Sequence, residues 1–312
     1  MNFLWAAKTL YVNRLPTRAF HFGGGLGDHL LCSSIFHELH KRGITNCWML
    51  SHYPEIFEGN PYSLKVMEDD WRTLKLLDKI RRPSTLLFYG EWIGDSDKIE
   101  PPKKHILEEM FIKTGIAGEV ALRPYWYANT DRNNLAINLQ EKYVCVQSTS
   151  PDSSTPMQNK CWSAGCMQNV IQELWKSYKI VQLGTDNEPL LQNVIDGRSL
   201  TIKESANLLV HAAFFVGQVG FLMHLARAVN TRSVIIYGGR EKAWQSGYPC
   251  NENVETHTEC SPCWQNNFCD YNRKCMDKIG SQDVLNAVSR LEKRIPTKME
   301  TTRTIIKDPP RN

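Results

Sequence analysis

Asp28 closes a glycine-rich turn, FHFGGGLGDHLL, that carries an apolar stretch into an amphipathic one. Glycines let a ligand approach the backbone closely, and a helix N-terminus favours negative charge. A carboxylate at that positive end stays ionised, which suits a general base drawing a proton from a hydroxyl at neutral pH. Position alone points first to something plainer, a helix cap worth about 1 kcal/mol. The dinucleotide spacing G-x-G-x-x-G is not met, because Gly23 and Gly25 are followed by Asp28 where the third glycine would stand.

Further along, VCVQSTSPDSSTPMQNKCWSAG runs from a strand through a hydroxyl-rich loop to Lys160, Trp162 and a helix opening near Ser163. Hydroxyls, an ammonium and a helix N-terminus converge well on a diphosphate; a surface loop with a solvated lysine would look the same. In IVQLGTDNEP, Glu188 stands just past the carboxyl end of a strand, where a carboxylate often holds ribose hydroxyls. Taken alone it reads first as an exposed acid in the first turn of a helix. His224, in GFLMHLARA, has the surroundings of a satisfied core histidine, but it too follows a strand's carboxyl end.

Cys260, Cys263, Cys269 and Cys275 have the spacing C-x2-C-x5-C-x5-C. Thiolates favour tetrahedral zinc or iron. Four sulfurs leave no open position, so the metal expected is a structural one, iron or zinc. Cys32, Cys47, Cys145 and Cys166 lie in apolar contexts and read as small core residues. Cys161 and Cys250 are undecided.

The elements that must position these residues alternate almost throughout. Strands are predicted at Arg18–Phe22, Asn46–Leu50, Thr85–Tyr89, Tyr143–Gln147, Lys179–Leu183, Phe214–Gly217 and Ser233–Tyr237, the last stopped by Gly238-Gly239. Helices are predicted at Asp28–Arg42, Ser163–Trp175, Ile202–His211, Leu222–Val229 and Ser281–Lys293. Nearly continuous apolar strands between amphipathic helices argue for parallel sheets with both faces covered. The pattern falters between about Ala117 and Glu141, which reads as a bridge. The fold expected is α/β, two Rossmann-like domains facing each other across a cleft: residues 1–135, residues 136–295 with the four-cysteine segment, and a poorly ordered tail at 296–312.

With 42% hydrophobic and 22% charged residues, the composition is that of a soluble globular protein. The formal charge of +4 is too small to imply nucleic acid, and residues 290–312 alone, with seven Lys/Arg against three Asp/Glu, equal the whole excess. No run approaches the ~20 apolar residues of a membrane span. The opening MNFLWAAKTLYVNRLP lacks the basic start and long apolar run of a signal peptide. A cytoplasmic address is therefore expected, with reduced cysteines.

Taken in order, Gly27-Asp28, Lys160-Cys161-Trp162, Gly184 to Glu188, Met223-His224-Leu225-Ala226 and Tyr237-Gly238 resemble the motifs of glycosyltransferase family 9, the ADP-heptose heptosyltransferases. The resemblance spans about residues 18–295, and ECSPCWQNNFCDYNRKCM looks like the iron-binding segment of the autotransporter heptosyltransferase branch. It implies a GT-B fold with the acceptor on the N-terminal domain and the donor on the C-terminal one. It also implies an inverting transfer without a catalytic metal, from a nucleoside-diphosphate (ADP) sugar, heptose by analogy, to a hydroxyl on a glycan, protein or small molecule. Carried over, Asp28 would be the base, Lys160 would neutralise the donor diphosphate beside Ser148 and Thr149, Glu188 would hold the ribose, and His224 with its helix start at Gly220 would line the donor pocket. One departure stands out: the family's usual acid before M-H-L-A falls on Val219, with Gln218 beside it and Phe221 at a usual glycine. A different donor sugar, a contact supplied by Gln218, or weakened activity would each follow from that. A sugar-nucleotide epimerase of similar fold and a non-catalytic nucleotide-sugar-binding subunit are the alternatives, and an oligomer is compatible with all three. A zinc-knuckle nucleic-acid binder is disfavoured, since the knuckle has one aromatic neighbour, Trp264, and little basic charge.

Overall fold

Two parallel sheets absorb most of the apolar runs. The computed structural model of the chain describes residues 3–62, 64–91, 93, 98–148, 157–294 and 302–305. Its N-terminal half contains α1 (Phe3–Asn13), β1 (Arg18–His21), α2 (Leu26–Lys41), β2 (Cys47–Leu50), β3 (Leu64–Met67), α3 (Trp71–Lys79), β4 (Ser84–Leu86), α4 (Ile106–Lys113) and β5 (Gly118–Ala121). The first four strands pair in parallel in the order β3-β2-β1-β4. Every residue of β2, CWML, is buried, as a strand covered on both faces requires.

The C-terminal half contains β6 (Tyr143–Val146), α5 (Ala164–Leu174), β7 (Lys179–Gly184), β8 (Ile195–Arg198), α6 (Ile202–His211), β9 (Phe215–Gln218), α7 (Phe221–Ala228), β10 (Ser233–Gly238), α8 (Ala243–Ser246), β11 (Glu252–Glu255), α9 (Lys274–Asp277) and α10 (Ser281–Lys293). Its sheet is parallel throughout, in the order β11-β10-β9-β6-β7-β8. Strand order thus winds outward from β6 in one direction and from β9 in the other. Such a reversal opens a crevice beyond the carboxyl ends of the two central strands, where doubly wound sheets bind ligands. The smaller sheet makes the same reversal between β1 and β4. This is the GT-B arrangement of two Rossmann-like halves.

One apolar cluster runs from α2 and α4 in the first half through α6 and α7 in the second, and another packs α5 and α10 on the opposite side of the larger sheet. The predicted 85–89 strand ends early, at Leu86. Leu87 still bonds to the carbonyl of His21, and beyond it Phe88 and Tyr89 pack against the buried Phe22 ring.

The tail departs from expectation. Thr302–Ile305, β12, pairs antiparallel with β5, with Thr302 opposite Ala121 and Ile305 opposite Gly118. Ile305 is buried in the main apolar cluster, which gives this short segment a reason to dock. The supposed bridge after residue 117 therefore begins with a strand, and Thr302–Ile305 returns to the N-terminal half.

The Gly238-Gly239 stop has a packing cause. Gly238 has φ +62°, and a Cβ there would meet Met276 Sδ at 1.9 Å. At Gly239 a Cβ would lie 2.5 Å from Ser261 Oγ and 2.8 Å from Cys275 Cβ. The missing side chains let the cysteine segment sit directly on the carboxyl end of β10.

Candidate functional site

The two sheet reversals border one cleft of about 340 Å³. From the N-terminal half it is lined by Gly25–Asp28 and Tyr89; from the C-terminal half by Lys160, Glu188, Gln218–Leu222, His224 and Glu241. Gly27 shows how close the halves come: a Cβ there would lie 3.3 Å from His224 and 3.4 Å from the Phe221 backbone, so the first turns of α2 and α7 nearly touch.

Asp28 is the third residue of α2. Its Oδ2 accepts the Gly25 N–H at 3.0 Å and its Oδ1 accepts the Tyr89 hydroxyl at 3.0 Å. It does close the helix end, as the plainer reading held, yet it also faces the cleft. Burial and the Glu241 charge push its carboxyl above the ordinary range, while Tyr89, Lys160 and Gly25 oppose the rise. A fixed carboxylate whose affinity for a proton is raised is a better base than a solvated one.

Lys160 ends a short 3-10 turn, Gln158–Lys160, just before α5, and its side chain is 17% exposed. Its Nζ lies 2.7 Å from Glu241 Oε1, and the same oxygen takes Arg240 Nη1 at 2.9 Å. Ser246 donates to the other oxygen of Glu241 at 2.5 Å. Burial works against ionisation of Glu241, but Lys160 and Arg240 outweigh it and hold the carboxyl at about 2. Burial lowers Lys160 as well, and Glu241 and Asp28 counter that. The ammonium is therefore a buried, paired charge and not the solvated lysine that the spacing also allowed.

His224 is buried, with Nδ1 2.6 Å from the Tyr248 hydroxyl. Burial, with the Lys160 charge, pushes it down to about 3, so the imidazole is neutral. It is at once a satisfied histidine and part of the cleft wall. Glu188 is 2% exposed, lines the cleft and accepts the Thr185 N–H at 3.2 Å. No helix begins there, so the exposed first-turn reading does not hold; the acid folds back over the end of β7. Gly220 opens α7 at the cleft, with open space where a Cβ would be.

Gln218 lines the cleft but spends its amide on the scaffold. Its Oε1 accepts Trp162 N–H at 3.2 Å, and its Nε2 donates to the carbonyl of Ser148. Ser148 is buried, with its hydroxyl toward Gln182 at 3.4 Å, and it does not line the cleft. Thr149 lies outside the described residues. Val219 is buried in the wall where an acid had been looked for.

Cys263 and Cys275 sit against Gly239 at the carboxyl end of β10. Burial raises the thiols of Cys263 and Cys275; Cys263 senses Cys260 and Cys275, and Cys275 senses Cys260 and Cys269. Backbone N–H groups point at three sulfurs: Gln265 toward Cys263, Gly239 and Met276 toward Cys275, and Arg273 toward Cys269 at 3.3 Å. Those N–H groups oppose the rise without reversing it; sulfur donors of this kind are the class that soft metals take. Among the described residues, however, no three His, Cys, Asp or Glu side chains stand together as a ligand set. The segment also braces the cleft. Trp264 is buried, bonds through its backbone to Arg240 O and Ile99 N–H, and packs edge-on to Tyr89 at 6.2 Å. Asn266 takes the carbonyl side of a bond from Asn159 N–H at 2.9 Å, one residue before Lys160.

Sequence reasoning missed Tyr89, Arg240 and Glu241. Glu241 had a signal: it follows the glycine stop at the carboxyl end of β10, the binding edge of a parallel sheet.

Residues 128–269 match the family described as Glycosyltransferase family 9 (heptosyltransferase). No curated protein sequence matches the chain. Among solved structures, the chain is similar to the iron-containing dodecameric glycosyltransferase TibC from enterotoxigenic E. coli. The identity is 19% and the TM-score 0.68, over 89% of this chain and 78% of that one. The TibC heptosyltransferase complex with ADP-D-β-D-heptose gives 18% and 0.67, over 89% and 77%. The E. coli ADP-heptose lipopolysaccharide heptosyltransferase II gives 13% and 0.58, over 88% and 98%. Among the described residues no helix is long and apolar enough to cross a membrane.

Proposed function

We propose that this chain, a heptosyltransferase-like glycosyltransferase matching family 9 over residues 128–269, moves a sugar from an ADP donor to a hydroxyl acceptor with inversion at the anomeric carbon. The observation that carries the reading is the pairing, across one cleft, of a fixed carboxylate, Asp28, with a buried ammonium, Lys160. Heptose is the sugar favoured, because the similar TibC structure holds ADP-heptose.

In the reaction, Asp28 accepts the proton of the acceptor hydroxyl. The oxygen lone pair forms a bond to the anomeric carbon from the face opposite the diphosphate. The bond from that carbon to the diphosphate oxygen breaks, and its electron pair leaves with ADP. Negative charge thus grows on the leaving group where Lys160 and the N-terminus of α7 supply positive potential. Tyr89 and Gly25 orient the base. Glu188, just past the end of β7, would hold the ribose of the nucleotide. Neutral His224 and Gly220 shape the wall against the sugar and diphosphate without adding charge.

The test is a thermal-shift panel of nucleotide sugars followed by product analysis. ADP-heptose at 100 times its Kd should stabilise the fold by about 2.7 kcal/mol, and UDP-sugars at the same concentration should not. Product formed only when a hydroxyl acceptor is present supports transfer. Conversion of the donor alone would mean epimerisation, and binding without turnover across acceptors would mean a binding subunit.

Cys260, Cys263, Cys269 and Cys275 would together hold a structural metal, iron or zinc, that ties the segment over β10. Purified protein should contain close to one equivalent of metal by elemental analysis, and Cys260→Ser should lose it and melt at a lower temperature. Metal-free protein of undiminished stability would defeat the assignment.

A further inference from the structure

We propose that Glu241 is a positioning residue for Lys160: its Oε1 holds the ammonium at the cleft wall, in place for a nucleoside diphosphate. The proposal rests on the reading of the cleft as a donor site, and it concerns a residue that no sequence motif singled out.

Three observations carry it. Glu241 is 3% exposed and both its oxygens are committed, one to Lys160 at 2.7 Å and Arg240 at 2.9 Å, the other to Ser246 at 2.5 Å. A buried carboxylate this fully bonded does not wander between rotamers. Arg240, in turn, is fixed elsewhere: its guanidinium bonds Asn266 at 3.2 and 2.6 Å and lies over the Trp264 ring at 4.8 Å. Lys160 and Glu241 line the cleft and Arg240 does not, so Lys160 is the cation that can reach a ligand. Finally, Glu241 is shared by two cations, so the Lys160–Arg240–Glu241 group keeps a net charge of +1 of its own, and the pairing fixes Lys160 without neutralising that group.

Without Glu241 the charges become unstable. Two cations would adjoin with no shared carboxylate, and of the two only lysine can give up its proton. The groups that face Lys160 are Glu241 and Arg240 from the loop after β10, Asp28 from α2 and His224 from α7. His224 is neutral, so Asp28 alone would remain to keep the ammonium charged. Glu241→Gln should therefore let Lys160 lose its proton, and with it the hold on diphosphate, as pH rises through a range where the native cleft keeps its charge.

The experiment measures ADP binding by calorimetry for the native protein, Glu241→Gln and Lys160→Ala at about pH 7 and about pH 9. The Kd of Glu241→Gln relative to native should rise about tenfold over that interval. Lys160→Ala should be weak at both. A Glu241→Gln profile parallel to native, with Lys160→Ala weakened, overturns the positioning role alone. Lys160→Ala binding ADP as tightly as native overturns the donor-site reading beneath it. Should Glu241→Gln fail to fold, Ser246→Ala frees one carboxylate oxygen more gently and should show the same trend with smaller amplitude; a parallel profile there overturns the proposal equally.

Discussion

Asp28→Asn should lower the rate of sugar transfer about a thousandfold, in the range that loss of a general base produces, while ADP binds within about threefold of native. The base touches the acceptor proton and not the donor, so kcat falls and nucleotide affinity does not. The substitution is close to isosteric, and the local bonds can be remade. Asn Oδ1 accepts the Gly25 N–H in place of the carboxylate, and the amide donates to the Tyr89 hydroxyl, which rotates to accept. Stability separates catalysis from folding. Because the native carboxyl is raised, the folded state holds its proton more tightly than the unfolded chain does. That contribution to stability is complete at acid pH and is lost as pH rises through the folded value. At neutral pH the ionised group opposes folding, so the neutral Asn variant should melt no lower than native. For the same reason native turnover should fall as the pH drops through the raised value, because the protonated acid cannot take a second proton. Unchanged turnover in Asp28→Asn would remove it from the mechanism.

How much of this was legible beforehand follows from where the information lies. The parallel strands were readable because burial on both faces writes an uninterrupted apolar run, as in CWML and YVCV. Ile202–His211 and Ser281–Lys293 were read to the residue, since each carries a full amphipathic period and a clear start and stop. β12 was not readable. TRTI is polar and short, and only a distant upstream partner, β5, makes it a strand. Asp28, Lys160, Glu188 and His224 were picked out because each follows a strand's carboxyl end or lies near the start of a helix, and all four line the cleft. Glu188 was nonetheless misjudged in its environment, because burial depends on how the chain folds back over β7. Tyr89 and Glu241 escaped because their importance lies in partners: a tyrosine ending LLFY and an acid in GGREKAWQ are ordinary until the fold sets them beside Asp28 and Lys160. A contact from Gln218 was one of three consequences considered for the acid absent at Val219; Gln218 does line the cleft, and its amide also fastens Ser148 to Trp162, a use visible only in three dimensions.

Lys160→Ala should lower kcat about 10²- to 10³-fold, as loss of one preorganised group at a site of developing charge does. It should weaken ADP binding by about 30-fold or more, corresponding to about 2 kcal/mol or above. The binding loss exceeds that of a missing contact for a reason specific to this cleft. In the native protein Glu241 shares one oxygen between Lys160 and Arg240. Truncating the lysine leaves that carboxylate on the wall with a single cation, where the diphosphate must come. The cleft then loses an attraction and gains a repulsion in one step. Adding Glu241→Gln to Lys160→Ala removes the stranded anion, so the double variant should bind ADP more tightly than Lys160→Ala alone. Glu241→Gln by itself weakens binding as pH rises, so the same change would act in opposite directions in the two backgrounds. That sign reversal is a coupling between residues in contact. Additive effects of the two substitutions would mean instead that Lys160 and Glu241 meet the nucleotide independently, and that the 2.7 Å pair between them has no part in holding it.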